Sequence, residues 1–188
     1  MFYQKLASHP KVVAIGECGL DYFRSVPETA EKQKEVFLAH IALANKVQKP
    51  LMCHVRSASS KTPSRDGNAY LDAYEILKVE AKTPANMHFF AGTWEEAKKF
   101  LDIGSTLSFT GVLTFARNYD EVVKHTPLER IMAETDCPFV APAPYRGKRN
   151  ESVYVQEVYK AIAHIRGEDE EKVREILVQN AKRVFKLP

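Results

Sequence analysis

The sequence predicts an α/β protein with a parallel β-sheet covered by helices. Short segments that are apolar throughout alternate along the chain with longer amphipathic segments. Strands that are apolar on both faces are typical of parallel sheets, because helices cover both sides of such sheets. The chain of 188 residues is long enough for one well-filled core, so we expect a single domain over residues 1–188.

Five apolar segments are predicted as strands. In chain order they are KVVAIGECGLDY, which ends in a glycine-punctuated loop, then PLMCHV, NMHFFAG, STLSFTG and RIMAET. Helices are predicted over about residues 29–47, AYLDAYEILKVEAK, TWEEAKKFLDIG, NYDEVVKH, about 152–166 and about 169–187. A closed (β/α)8 barrel needs eight strands and about 250 residues, whereas five strands also suit an open doubly wound sheet. Composition alone leaves both architectures open.

The helical segments carry local signals for their faces and ends. In the helix after Pro27, apolar residues at helical spacing predict a buried face of Val36, Phe37, Ile41, Ala44 and Val47. Thr93 and Glu96 are spaced as a capping box, and Gly104 is a stop signal for the same helix. A polar loop is predicted for SASSKTPSRDGN, before the AYLDAYEILKVEAK helix.

Composition excludes several classes of protein. The net charge is +3, too small to require or exclude a nucleic-acid partner. The three cysteines form no C-x-x-C pair, which argues against a disulfide framework or a cysteine zinc site and fits a reducing compartment. No apolar run approaches the ~20 residues of a membrane helix, and no signal-peptide core is present. A cytoplasmic protein without membrane contact is expected.

Two of the six histidines are candidates for chemistry. His54 and His88 lie at or near the C-terminal ends of predicted strands, the edge at which α/β proteins place their active sites. The others lie in helices, near helix ends or in the polar leader, and are interpreted as solvated or packing residues: His9, His40, His125 and His164.

Acidic residues follow two further strands. Glu17 follows the first strand and Asp136 follows the fifth, and Glu17, His54 and His88 are spaced by about one βα unit each. A carboxylate at the end of a buried strand is costly unless it is paired or bound to metal. Two imidazoles and two carboxylates suit a divalent cation such as Zn, Mn or Mg. The alternative is that the acids pair with Arg56 or Arg146.

Polar residues that could act on a ligand accompany this set. Glu134 and Asp136 are two residues apart and would therefore lie on the same side of a strand. One of them could then bind metal while the other orients a ligand. Alternatively, Glu134 could be a salt-bridged residue at the end of the strand. Arg56 shares the direction of His54 and suits a phosphate oxygen. The loop YRGKR adds Tyr145, Arg146 and two further cations, a combination that suits a phosphate backbone with a stackable base.

Several motifs together resemble the TatD-type metal-dependent deoxyribonucleases, a branch of the amidohydrolase-like TIM barrels. The similar stretches are VVAIGECGLDYFR, PLMCHVRSA, MHFFAG, LSFTGVLTF, AETDCPFVAP, PYRGKRNES and NAKRVF. They run in the family order over nearly the whole chain. The resemblance implies a TIM-barrel type (β/α)8 fold, of which this chain carries the last five strands and their helices.

The resemblance also implies an activity and a set of site residues. The implied metal ligands are Glu17, His54, His88 and Asp136, with one or two divalent cations of Mg, Mn or Zn per chain. Glu17 and Asp136 are the implied catalytic residues, and Asp136 would handle the proton of the attacking water. Arg56, Tyr145 and Arg146 are expected at the substrate. The implied reaction is hydrolysis of phosphodiester bonds of DNA, 3′ to 5′, by metal-activated water.

The sequence also departs from the family pattern. The family begins with a strand that carries an H-x-H pair of metal ligands, and no H-x-H occurs in this sequence. The domain is therefore expected to be N-terminally incomplete relative to the family. Two alternatives stay open: a truncated chain that is weakly active or inactive, and a related hydrolase that acts on a small ester or amide. The basic loop YRGKR argues against the small-substrate alternative.

Overall fold

The computed structural model describes residues 2–23, 29–57 and 68–188. The chain divides into two compact units. Unit 1 comprises residues 1–88 and 102–105, and unit 2 comprises residues 89–101 and 106–188. Pro27 and most of the predicted polar loop SASSKTPSRDGN lie outside the described residues. Among the described residues, no helix is both long enough and apolar enough to cross a membrane.

The described part of unit 1 contains three parallel strands and three α-helices. The strands are β1 (Ile15–Asp21), β2 (Leu51–Arg56) and β3 (Ala85–His88), adjacent in that order. The helices are α1 (Phe2–Ala7), α2 (Ala30–Val47) and α3 (Ala69–Glu80). The predicted strands and the two long helices of this unit are confirmed, whereas α1 lies in a segment for which we expected no helix.

The core of unit 1 lies between the strands and helices α2 and α3. Burial alternates along β2, where Leu51, Cys53 and Val55 are buried and the residues between them are half-buried. Buried residues of the two helices cover this face: Phe37, Ile41, Ala44, Tyr70, Ala73 and Leu77. Val36 was predicted on the buried face of α2, but 43% of it is exposed. The apolar stripe of α2 is thus narrower than its sequence suggests.

Unit 2 contains two parallel strands and four helices. The strands are β4 (Thr106–Phe109) and β5 (Ile131–Ala133), with Leu107 opposite Ile131. The helices are α4 (Trp94–Asp102, of which residue 102 belongs to unit 1), α5 (Asp120–His125), α6 (Val155–Arg166) and α7 (Glu170–Phe185). The predicted capping box is confirmed, since Thr93 N–H donates to Glu96 and Glu96 N–H donates to the Thr93 hydroxyl.

Two polar side chains, of which Asn180 is buried, tie the last helices of unit 2 to its strands and loops. The amide of Asn180 on α7 donates to the carbonyls of Leu128 and Ile131, each at 2.8 Å. Arg166, the last residue of α6, donates to the carbonyls of Val123 and Thr126 at 2.7 and 2.8 Å. These side chains thus provide hydrogen-bond donors for backbone carbonyls of the segments that they contact.

We expect Asn180→Ala to destabilise the protein by about 2–4 kcal/mol, because it leaves two buried carbonyls without their donor. Urea unfolding measures this loss. Gln179→Ala is the matched control, since Gln179 is the exposed neighbour on the same helix. Equal stability of the two variants would contradict this role of Asn180.

Candidate metal centre

Strand β2 directs His54 and Arg56 to one face of unit 1. Side chains alternate along a strand, and the neighbouring residues Cys53 and Val55 are buried on the other face. His54 and Arg56 therefore remain accessible on the face away from the helices. The predicted position of His54 near the C-terminal end of its strand is confirmed.

Strand β3 places His88 beside His54. The two histidines are register partners in the parallel pairing of β2 with β3, and their ring centroids are 6.3 Å apart. Only 10% of the His88 side chain is exposed, against 35% for His54. His88 is the last residue of β3, which ends earlier than the predicted NMHFFAG strand.

Strand β1 brings Glu17 to the two imidazoles. Its Oε1 atom lies 2.8 Å from Nδ1 of His54 and 3.8 Å from Nε2 of His88. We expected Glu17 to follow its strand, but β1 starts at Ile15 and runs through the glycines to Asp21. The β1–β2 register shifts between Ile15 and Cys18, and such a bulge redirects the side chains that it contains.

The geometry fits a divalent cation. One atom each from Glu17, His54 and His88 can be chosen such that all lie within 4.8 Å of one another. One carboxylate and two imidazoles form a donor set typical of zinc and of related divalent metals. Glu17 forms its ion pairs with the two histidines, so within the described part of the chain it is not the partner of Arg56 that the alternative interpretation required.

Thiols do not contribute to this donor set. Cys18 and Cys53 are register partners that are buried in the core of unit 1, on the other face of their strands. The hydrogen bond with Cys18, together with burial, raises the pKa of the Cys53 thiol well above its usual range. Because metals bind the thiolate, this raised pKa disfavours Cys53 as a ligand.

Asp21 is a further residue of the centre that we did not predict. Its Oδ2 atom lies 3.3 Å from Nε2 of His54, on the opposite side of the ring from Glu17. The signal was available in the sequence, since Asp21 stands four residues after Glu17 in the GECGLD motif. Arg56 lies nearby in unit 1, where its guanidinium stacks on the Phe23 ring at 3.8 Å.

Asp136 and Glu134 lie in unit 2, on the segment that follows β5. We expected them to share one side of a strand, but β5 ends at Ala133 and Asp136 has a left-handed backbone with φ of 52°. The in-strand argument for a shared direction is therefore wrong. Glu134 is held inside unit 2, because its Oε1 atom accepts the Phe89 N–H at 2.8 Å and the Ser108 hydroxyl at 2.5 Å.

The basic loop of unit 2 is organised by aromatic rings. The Arg146 guanidinium stacks on the Phe115 ring at 3.7 Å. The Tyr145 ring stacks on Tyr154 with centroids 3.9 Å apart and planes within 6°. Phe115 and Tyr154 were not predicted, because nothing in their local sequence marks them as stacking partners of this loop.

The segments that carry these residues are those of a known family. A family model described as "TatD related DNase" matches residues 2–186. The chain belongs to the TatD family. The resemblance found in the motifs is thereby confirmed.

Proteins related to this chain match it in sequence over nearly its whole length. YabD of Bacillus subtilis, an uncharacterized metal-dependent hydrolase, is 41% identical over 98% of this chain and 69% of its own length. YcfH of Escherichia coli K12, described in the same words, is 35% identical over 97% of this chain and 66% of its own length. The 3′-5′ ssDNA/RNA exonuclease TatD of a Rahnella species is 33% identical over 98% of this chain and 69% of its own length. The chain thus spans about two thirds of the length of these relatives.

Solved structures agree with the assignment to the TatD family. The TatD homologue YJJV of E. coli superposes with a TM-score of 0.86 at 25% identity, over 98% of this chain and 69% of that chain. A TatD family protein of Entamoeba histolytica superposes with a TM-score of 0.78 at 23% identity, over 95% and 64% respectively, which shows the fold alone. The prediction of an α/β fold of TIM-barrel type is confirmed at a coarser level. The chain has an α/β fold with parallel strands, and TatD homologues share this fold.

Glu17→Gln and His88→Ala should each weaken zinc binding by more than about 100-fold, since each removes one donor, a larger loss than that of an outer partner. Competition with a chromophoric chelator measures the affinity. His9→Ala is the control, because His9 is an exposed histidine of the same unit. Wild-type affinity in the two site variants would show that the ion binds elsewhere.

Proposed function

We propose that this chain is a metal-dependent hydrolase that cleaves phosphodiester bonds of DNA stepwise from the 3′ end. The observation that carries the proposal is the convergence of Glu17, His54 and His88 in a chain of the TatD family. The description of the Rahnella relative as a 3′-5′ ssDNA/RNA exonuclease supports a nucleic-acid substrate, and the names of YabD and YcfH support metal-dependent hydrolysis.

The three donors would hold a cation of the Mg, Mn or Zn type. Such a cation lowers the pKa of water and neutralises charge on phosphoryl oxygens. Glu17 contributes the negative charge of the set. Its side chain is 52% exposed, so the centre is open to a substrate. For Asp136 we propose the catalytic role that the ETDCP motif predicts, as a further metal ligand that accepts a proton from the attacking water.

Aromatic contacts prepare the proposed substrate residues. Stacking on Phe115 covers the face of the Arg146 guanidinium and leaves its N–H edge for two phosphate oxygens. Tyr154 covers one face of Tyr145, so a nucleobase would stack on the other. Arg56, stacked on Phe23, is proposed as a second phosphate contact.

Three broader predictions accompany this function. We propose that the chain acts as a single domain. We also propose that its five strands correspond to the last five of an eight-stranded barrel, and that the protein is cytoplasmic. The parallel pairing of the strands within each unit and the TatD homologues among solved structures support the barrel correspondence.

We expect the purified chain to shorten single-stranded DNA from its 3′ end in the presence of Mg, Mn or Zn. Asp136→Asn should reduce the rate by at least about 100-fold, since proton transfer by a positioned side chain contributes 10²–10⁴-fold. Gel analysis of 5′-labelled DNA measures the rate. Glu121→Gln, which removes an exposed carboxylate from the same unit, should leave it unchanged.

Two results would contradict the proposed function. A folded chain that binds metal and cleaves a small aryl ester but no DNA would favour the small-ester alternative. A folded chain without any hydrolytic activity would favour the inactive-chain alternative.

Arg146→Lys should weaken DNA binding about tenfold although the charge is kept, because lysine lacks the planar fork and the stacking on Phe115. Fluorescence anisotropy with a labelled oligonucleotide in chelator measures binding without cleavage. Lys182→Ala, a change at an exposed cation on α7, is expected to have a much smaller effect. Equal affinities of Arg146→Lys and the unaltered chain would argue against a bidentate phosphate contact.

A further inference from the structure

The His54 ring lies between two carboxylates. Its Nδ1 atom is 2.8 Å from Glu17 Oε1, and its Nε2 atom is 3.3 Å from Asp21 Oδ2. The two acids differ in exposure, since 52% of the Glu17 side chain is accessible against 27% for Asp21. Glu17 also reaches His88 and belongs to the donor set, whereas Asp21 does not. The two nitrogens of His54 therefore have different partners, Glu17 of the donor set at Nδ1 and Asp21 at Nε2.

The Asp21 carboxylate is fixed in its position by neighbours in unit 1. Its Oδ1 atom accepts the Phe23 N–H at 2.8 Å. The Gln33 side chain on α2 holds the backbone of the same residue, because Oε1 accepts the Asp21 N–H at 2.8 Å and Nε2 donates to the Asp21 carbonyl at 3.2 Å. Gln33 is itself bound to the Thr29 hydroxyl at 3.2 Å. With Oδ1 engaged, the Oδ2 atom is held toward His54.

We propose that Asp21 is a positioning residue, which holds the proton of His54 on Nε2 and so presents Nδ1 to the cation. The inference rests on the metal centre of the proposed function. A neutral imidazole carries one proton, and a carboxylate that accepts it fixes both the tautomer and the orientation of the ring. A carboxylate partner also makes the opposite nitrogen a stronger electron donor.

Asp21→Asn tests this role sharply, because an amide has one acceptor oxygen where the carboxylate has two. The single oxygen can satisfy either the Phe23 N–H or the His54 N–H, and the other donor then faces an NH₂ group. We expect zinc affinity to fall about 10- to 100-fold, the loss typical of an outer partner. Glu35→Gln is the control, since it removes the charge of an exposed acid of the same unit. Circular dichroism of the metal-free variants establishes that they are folded.

The tautomer of His54 gives a second readout, which does not depend on activity. In the zinc-loaded chain labelled with ¹⁵N-histidine, long-range ¹H–¹⁵N correlation spectra should show the His54 proton on Nε2 and the metal on Nδ1. The spectrum of Asp21→Asn should show this signal shifted or exchange-broadened.

The outcomes separate this inference from the function on which it rests. A His54 proton on Nδ1 in the zinc-loaded chain would overturn the role of Asp21, and so would zinc affinity of Asp21→Asn within about twofold of the unaltered chain. An unaltered chain that binds no zinc would overturn both proposals. A chain that binds zinc with the expected tautomer but leaves DNA intact would support the role of Asp21. It would contradict only the proposal that DNA is the substrate.

Discussion

The close approach of β1 to β2 is the constraint on which the candidate metal centre depends. Gly19 is paired with His54 and has φ of +146°, and a Cβ atom added there would lie 2.0 Å from the His54 carbonyl oxygen. A Cβ atom at Gly16 would lie 2.6 Å from the Met52 carbonyl oxygen. Residues with a side chain could not occupy these positions without separating the strands. Glu17 lies between these two glycines and is thereby brought within 2.8 Å of His54.

The same approach explains why so much charge is gathered on one face of unit 1. Glu17 and Asp21 both stand on β1, and a like-charged pair on a half-buried face is unfavourable unless cations or donors compensate it. His54 lies between the two acids and offers a nitrogen to each. The Phe23 N–H donates to Oδ1 of the Asp21 carboxylate and compensates part of its charge. A divalent cation at Glu17 would complete this compensation, which is the physical reason to expect one.

Much of the candidate centre could be predicted from the sequence, because its residues are recognisable by their type and by their positions near strand ends. His54 and His88 follow apolar runs, so their place at the ends of β2 and β3 follows from the pattern alone. Glu17 was identified by residue type, but its place inside β1 was not, since glycines usually mark loops and here permit strand contact. The partners Asp21–His54 and Arg146–Phe115 depend on chain segments about 30 residues apart, which no local pattern reports.

A crystal structure of the chain soaked with zinc, with anomalous data at the zinc edge, would show directly whether Glu17, His54 and His88 hold a cation. We predict an anomalous peak bonded to a Glu17 carboxylate oxygen, to Nδ1 of His54 and to Nε2 of His88, with Asp21 still at Nε2 of His54. A zinc ion bonded to His54 through Nε2, or a saturated crystal with no ion at these three side chains, would contradict the account.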